Sequence, residues 1–157
     1  MKIGIVSDTH GNIKNIDKAI PYLKECDLII HAGDHIDDAE YIYYATDVNV
    51  KCVKGNCDSY NSDGDYELKF SLEDKNFFLC HGHHHDVKMG INSLYKLAKS
   101  DNIDFIVFGH THIPIYETID NITFINPGSL TYPRGESEKS FGILTIGDDI
   151  SYEQINI

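Results

Sequence analysis

A chain of 157 residues is the size of one domain with room for a sizeable core, and its 13 Lys+Arg against 25 Asp+Glu leave a formal charge of −12. That balance lacks the basic footprint of a protein that wraps nucleic acid, although cations held in a cleft reverse the sign locally. The opening MKIGIVSD carries no signal-type charged and apolar regions, no apolar run reaches membrane-spanning length, and Cys26, Cys52, Cys57 and Cys80 form no CxxC pair; the chain reads as a cytoplasmic protein with reduced thiols and no membrane partner.

In chain order, Lys2–Val6 is a compact apolar strand that runs into Ser7-Asp8-Thr9-His10-Gly11. Ile13, Ile16, Ile20 and Leu23 then recur at helical spacing, with Pro21 expected to kink or end that helix early. A second strand, Leu28–Ile30, leads to His31-Ala32-Gly33-Asp34, a short helix covers Asp38–Ala45, and a third strand, Val48–Val53, leads to Lys54-Gly55-Asn56-Cys57-Asp58. After a polar loop, Ser59–Asp65, two strand-like runs, Tyr66–Leu72 and Asn76–Cys80, flank Glu73-Asp74-Lys75 as a hairpin and end in His81-Gly82-His83-His84-His85-Asp86. A helix over Ile91–Lys99 precedes the apolar run of Phe105-Ile106-Val107-Phe108, which ends in Gly109-His110-Thr111-His112. Four further β segments follow at Ile115–Ile119, Ile122–Ile125, Ser140–Ile146 and Ile150–Ile155. Alternating strand and helix predicts parallel pairing in the first half, and the tail predicts a second, antiparallel layer. The fold class is therefore α/β, two stacked sheets with helices outside, in one domain over residues 1–157.

Five apparent strand exits carry ligand-type side chains: Asp8 and His10, Asp34, Asn56, His81, and His110 with His112. Each alone has an ordinary explanation as a turn residue, a cap or a buried polar group. Together they fall where α/β sheets bind ligands, beyond the carboxyl ends of strands. Oxygen and imidazole donors without thiolate suit Mn²⁺, Fe²⁺, Zn²⁺, Ni²⁺ or Co²⁺ better than a cysteine-built structural zinc. Seven ligands exceed what one catalytic ion uses and match two ions sharing a carboxylate. Such a pair, about 3.5–4 Å apart, clamps both oxygens of an in-line displacement and acidifies water toward a pKa of about 7. The chemistry this points to is hydrolysis of a phosphate ester.

Asp8-x-His10, Gly33-Asp34-x-x-Asp37, Gly55-Asn56-Cys57-Asp58, His81-Gly82-His83 and Gly109-His110-Thr111-His112 resemble, in order, the motifs of the calcineurin-like metallophosphoesterases. Asn126-Pro127-Gly128-Ser129 resembles a segment of the family's small prokaryotic YfcE-type phosphodiesterases. The resemblance implies two stacked mixed sheets flanked by helices, an α/β/β/α sandwich. It also implies one metal on Asp8, His10, Asp34 and His112 and a second on Asp34, Asn56, His81 and His110. Asp34 would be the bridge, and a bridging hydroxide would attack phosphorus, with Mn²⁺ the favoured ion. The chain departs from many members at Cys57, where they have a histidine thought to protonate the leaving oxygen or contact phosphate.

Other residues carry alternatives. His83 is a candidate for catalysis or phosphate contact, and Asp58 either orients an imidazole or opens the polar loop. Arg134, the only arginine, and Asn56 are candidate substrate contacts. His84, His85 and Asp86 read as a solvated loop, Asn12 and Asp37 as helix caps, and Asn126 as a turn residue. The favoured function is a phosphodiesterase, ahead of a phosphomonoesterase, acting on a small phosphate ester. The alternative is a protein-binding scaffold, like the eukaryotic retromer subunit that shares this fold. Nucleic acid is disfavoured by charge, and the β-rich tail is a candidate homodimer surface.

Overall fold

Successive side chains of a strand face opposite ways, and the strands after Met1 use both faces. Ile3 and Ile5 of the first strand join one buried cluster and Val6 another; Leu28 and Ile30 are likewise separated from Ile29. Phe77 and Leu79 face the first cluster while Phe78 and Cys80 face a third, as do Phe105 and Val107 against Ile106. Strands apolar on both faces must be covered on both, which requires helices outside a pair of sheets.

The computed structural model describes Met1–Ile157. Its elements are β1 (Lys2–Val6), α1 (Ile13–Leu23), β2 (Leu28–His31), α2 (Asp38–Thr46), β3 (Val50–Cys52), β4 (Glu67–Leu72), β5 (Lys75–Cys80), α3 (Asn92–Asp101), β6 (Phe105–Val107), β7 (Ile115–Ile119), β8 (Ile122–Asn126), β9 (Ser140–Ile146) and β10 (Ile150–Asn156), with single 3₁₀ turns at His83–His85 and Val87–Met89. They build two five-stranded sheets, ordered β10-β9-β1-β2-β3 and β4-β5-β6-β8-β7. One cluster, including Ile5, Ile30, Phe77 and Val107, fills the space between the sheets. A second seats Ile16, Leu23 and Ile42 of α1 and α2 on the first sheet, and a third seats Leu94 and Ala98 of α3 on the second. The α/β/β/α sandwich expected from the sequence is thus present.

Three expectations are corrected. The tail does not form its own antiparallel layer. β9 pairs antiparallel with β1 in the first sheet, whereas β8 lies parallel to β6 in the second. Side-chain alternation specifies which face a strand buries, not which neighbour it bonds, so the sheet to which each tail strand belongs is a non-local outcome. Pro21 neither ends nor shortens α1, which runs to Leu23. It sits in the last turn, where its missing N–H removes a single helical bond. Asn12 caps α1 by accepting from the Asn15 amide at 3.3 Å, while Asp37 precedes α2 without a side-chain cap. Both two-residue hairpin loops, Glu73-Asp74 and Asp120-Asn121, have positive φ throughout, the geometry that matches strand twist.

β1, β2 and β3 are mutually parallel, as are β5, β6 and β8. The carboxyl ends of β1, β2, β3, β5 and β6 therefore deliver five loops to one rim. The Asp8 amide bonds the Gly33 carbonyl at 3.0 Å and the Gly109 amide the His81 carbonyl at 3.1 Å, so neighbouring loops are laced by backbone.

Candidate metal centre

The exits of β1, β2 and β6 turn sharply at their ligand-type residues. Asp8, His10, Asp34, His110 and His112 all have left-handed φ, between 49° and 66°. That conformation costs a non-glycine residue on the order of 1–3 kcal/mol and persists where surrounding structure imposes it. Two glycines make the crowding possible. A Cβ on Gly109 would lie 2.0 Å from Ser7 Oγ and 2.7 Å from Asp8 Oδ2, and one on Gly55 would lie 2.1 Å from Asp34 Oδ1.

Asp8, Asp34, His81 and His112 are buried, and His10 and His110 are half-buried. Ligand atoms of Asp8, His10, Asp34 and His112 all lie within 4.8 Å of one another. His112 Nε2 is 3.0 Å from Asp8 Oδ1, His81 Nε2 is 3.2 Å from Asp34 Oδ1, and the Nε2 atoms of His10 and His112 are 3.5 Å apart. The second nitrogen of each key ring is committed elsewhere: His81 Nδ1 lies 2.8 Å from the Ala32 carbonyl and His112 Nδ1 2.6 Å from the Tyr132 carbonyl. Carbonyls only accept, so Nδ1 donates in both rings and the neutral imidazole presents its lone pair at Nε2. Lone pairs thus face carboxylate oxygens in a buried site, and Asp8 Oδ1 and His81 Nε2 have no hydrogen-bond partner. An electron-rich cluster of this kind is satisfied by a cation. Oxygen and imidazole donors oriented by carbonyls fit a divalent metal ion.

The carboxylates are also oriented. Asp8 Oδ2 accepts from Ser7 Oγ at 2.6 Å and from the His110 amide at 3.2 Å, and Asp34 Oδ1 accepts from the Cys57 amide at 2.9 Å. Burial raises the Asp34 carboxyl, but a proton held on His81 when no cation is bound, together with the Cys57 amide, outweighs it and holds the group below the ordinary carboxylate range. Burial lowers His110 to about 4, which keeps that imidazole neutral and able to ligate. Of the second expected ligand set, the His81 and His110 rings lie 5.1 Å apart, and His110 and Asn56 line one cleft with His10, Asp34 and His112. Asn56 itself is exposed and its Nδ2 faces Cys57 Sγ at 3.4 Å.

Asp58 does not touch an imidazole. Its Oδ1 accepts from the His35 and Ile36 amides at 3.0 and 2.7 Å and its Oδ2 from the Gly55 amide at 2.7 Å, so it ties the loop after β3 to the loop after β2. His83 packs 5.4 Å from the His81 ring, 6.0 Å from His110 and 4.0 Å from His84 and does not line the cleft. Burial, the first of several causes, lowers it to about 4. The Cys57 thiol does line the cleft, raised to about 11 by desolvation and the nearby Asp34 carboxylate. Arg134 reaches the same cleft. His85 is paired with Glu67 at 2.8 Å rather than directed at the centre.

Sequence reasoning read Asn126 as a turn residue and assigned no role to Ser129 or His31, yet all three hold the loops. Asn126, fully buried, donates from Nδ2 to the Gly109 carbonyl at 2.7 Å and to Thr111 Oγ1 at 3.0 Å, and accepts from the Gly128 amide. Ser129 donates to the Asp8 carbonyl at 2.9 Å. His31, fully buried, accepts the Gly33 amide at Nδ1, so its Nε2 donates to Thr9 Oγ1 at 2.9 Å. For Asn126 and His31 the available signal was a polar side chain closing an otherwise apolar strand.

The chain matches the calcineurin-like phosphoesterase superfamily domain over residues 1–149. It belongs to that superfamily. A probable metallophosphoesterase of Mycoplasma pneumoniae is 41% identical over 137 residues, covering 85% of this chain and 81% of its own. The phosphodiesterase YfcE of Escherichia coli is 27% identical over 167 residues, covering 92% and 87%, which places the chain beside the small prokaryotic branch. Among solved structures, a novel archaeal phosphodiesterase superposes with a TM-score of 0.81 at 29% identity, covering 100% of both chains. Wild-type Vps29 of Entamoeba histolytica complexed with zinc superposes with a TM-score of 0.76 at 19% identity, covering 99% of this chain and 98% of its own, a likeness of fold. The superfamily uses divalent metals and acts on phosphate esters, and no helix here is long and apolar enough to cross a membrane.

Proposed function

We propose that this phosphoesterase is a two-metal phosphodiesterase acting on a small substrate. The observation that carries the reading is the paired arrangement of imidazole and carboxylate lone pairs, His112 against Asp8 and His81 against Asp34. Asp8, His10, Asp34 and His112 would hold one ion and Asp34, Asn56, His81 and His110 the other, with Asp34 shared. Mn²⁺ is favoured, and Ni²⁺, Zn²⁺, Fe²⁺ and Co²⁺ suit the same donors. Bound there, two such ions supply Lewis acidity toward the phosphoryl oxygens and an acidified water for in-line attack.

The chain's own residues do the rest. The carbonyls of Ala32 and Tyr132 keep the ligating nitrogens bare, and the Asn126 and Ser129 bonds fix the two loops against each other. Arg134 and Lys88 line the cleft and offset substrate charge. At the leaving group the chain offers a weakly acidic thiol, Cys57, while the neutral His83 lies away from the cleft. It therefore suits esters whose leaving oxygen departs without a strong protein acid. The free thiols accord with a cytoplasmic setting.

The test is hydrolysis of an aryl phosphodiester and an aryl phosphomonoester by chelator-treated protein with single metals added back. The reading expects turnover with Mn²⁺, faster on the diester. No turnover with any metal, together with no uptake of ions, would favour the scaffold role instead.

A further inference from the structure

The metal cleft, about 210 Å³, opens beside a larger trough of about 510 Å³ lined by Val87, Lys88, Met89, Gly90, Thr111, Ile113, Ile115 and Arg134. Lys88 and Arg134 line both spaces. Isolated exposed apolar residues need no explanation. Here, however, Met89 is 89% exposed and Ile113 44%, and with Val87 and Ile115 they share a single concavity. No acidic side chain lines the trough, although the chain carries 25 Asp+Glu.

The trough's walls are tied to the metal centre. The Arg134 amide donates to the His112 carbonyl at 3.1 Å, and Ser137 Oγ donates to the Arg134 carbonyl at 2.6 Å. Thr111 Oγ1 accepts the Ile113 amide at 3.2 Å while also receiving the Asn126 amide group. Val87–Met89 is a 3₁₀ turn closed at Gly90, whose φ is 125°. A ligand seated in the trough thus meets the loop that presents His110 and His112.

We propose that this trough is the subsite for the substrate's organic arm, and that the enzyme selects phosphate esters bearing a flat apolar group of about one or two rings. The phosphate would sit in the cleft between Lys88 and Arg134, with the ring against Met89, Ile113 and Ile115. Cation and apolar wall together recognise an amphiphilic ester, anionic at one end and apolar at the other. The proposal rests on the phosphoesterase reading and narrows its substrate class.

Phosphonates test it, because their C–P bond resists ester hydrolysis and binding can be read without turnover. Calorimetry on zinc-loaded protein compares 1-naphthylphosphonate with methylphosphonate, and methyl NMR locates the ring. The naphthyl compound should bind at least about tenfold more tightly and shift the methyls of Val87, Ile113 and Ile115. Ile113→Asp and Met89→Asp should each cut that preference to about threefold or less. Lys88→Ala and Arg134→Ala should weaken both phosphonates together by about tenfold, leaving their ratio in place. Equal affinity for the two phosphonates, a preference untouched by both aspartate variants, or methyl shifts confined elsewhere would overturn the subsite while leaving the phosphoesterase reading intact. Failure of both phosphonates to bind would count against that reading and remove the subsite with it.

Discussion

His112 turns Nε2 to within 3.0 Å of Asp8 Oδ1 while Nδ1 is spent on the Tyr132 carbonyl at 2.6 Å. Two electron-rich atoms at that distance in a buried site attract a cation or a proton. A ligand lost from this pair should be felt in metal affinity before anything else. His112→Ala should lower affinity for one ion by about 100-fold or more, at the upper end of what supporting contacts alone contribute, with the fold retained by circular dichroism. Titration of Mn²⁺ into chelator-treated protein checks it.

Asn126 joins the site to the sheet. Removing its amide leaves the Gly109 carbonyl and Thr111 hydroxyl without their partner in a buried setting. Asn126→Ala should cost about 2–3 kcal/mol of stability and about 10–100-fold in metal affinity. Urea unfolding and metal titration read the two effects separately, and Asn126→Asp should recover part of neither, since a carboxylate cannot donate.

Gly109→Ala should be worse than its one added methyl suggests. The new Cβ would stand 2.0 Å from Ser7 Oγ and 2.7 Å from Asp8 Oδ2, so the hydroxyl that orients Asp8 must move. A loss of about 1–3 kcal/mol is expected from overpacking, together with weakened metal binding. Thermal unfolding in chelator isolates the first effect from the second.

His31 gives the fold an acid limit. Burial lowers its folded pKa to about 4 from 6.5, so between those values the unfolded chain binds the extra proton. Stability from this group is fully present above about pH 6.5 and is lost as pH falls toward 4, by as much as about 3 kcal/mol. His31→Gln should flatten the slope of unfolding free energy against pH in that window. An unchanged slope would assign the acid limit to another group.

Cys57 sets an expectation for kinetics. With a thiol raised to about 11 in the cleft and His83 outside it, rates across a series of aryl diesters should fall steeply as leaving-group pKa rises. A flat dependence would reveal an acid at the site.

Much of this was legible from residues alone. β1 and β9 have the bounds that the apolar runs predict, and the seven ligand-type positions lie at strand exits on one rim. Apolar runs bounded by glycine and polar turns are local signals, and they survive folding. Sheet membership of β8 and β9 was not legible, because hydrogen-bond partners are chosen by the whole chain. Asn126 read as a turn residue, and Asp58 as either an orienter of imidazole or the start of the polar loop, for a related reason: both side chains serve distant backbone groups. Local sequence does not reveal which carbonyl or amide will be left needing a partner. Pro21 shows the converse, a local rule outweighed by packing of Ile20 and Leu23.

Both proposed ion sites depend on the one Asp34 carboxylate, and counting bound ions tests that sharing. Calorimetric titration of Mn²⁺ into chelator-treated protein should give two ions per chain for the native sequence. With Asp34→Ala both sites should weaken at once, leaving fewer than one tightly bound ion and no hydrolysis of the aryl diester. Two ions still bound at native affinity in Asp34→Ala would show that Asp34 does not bridge them.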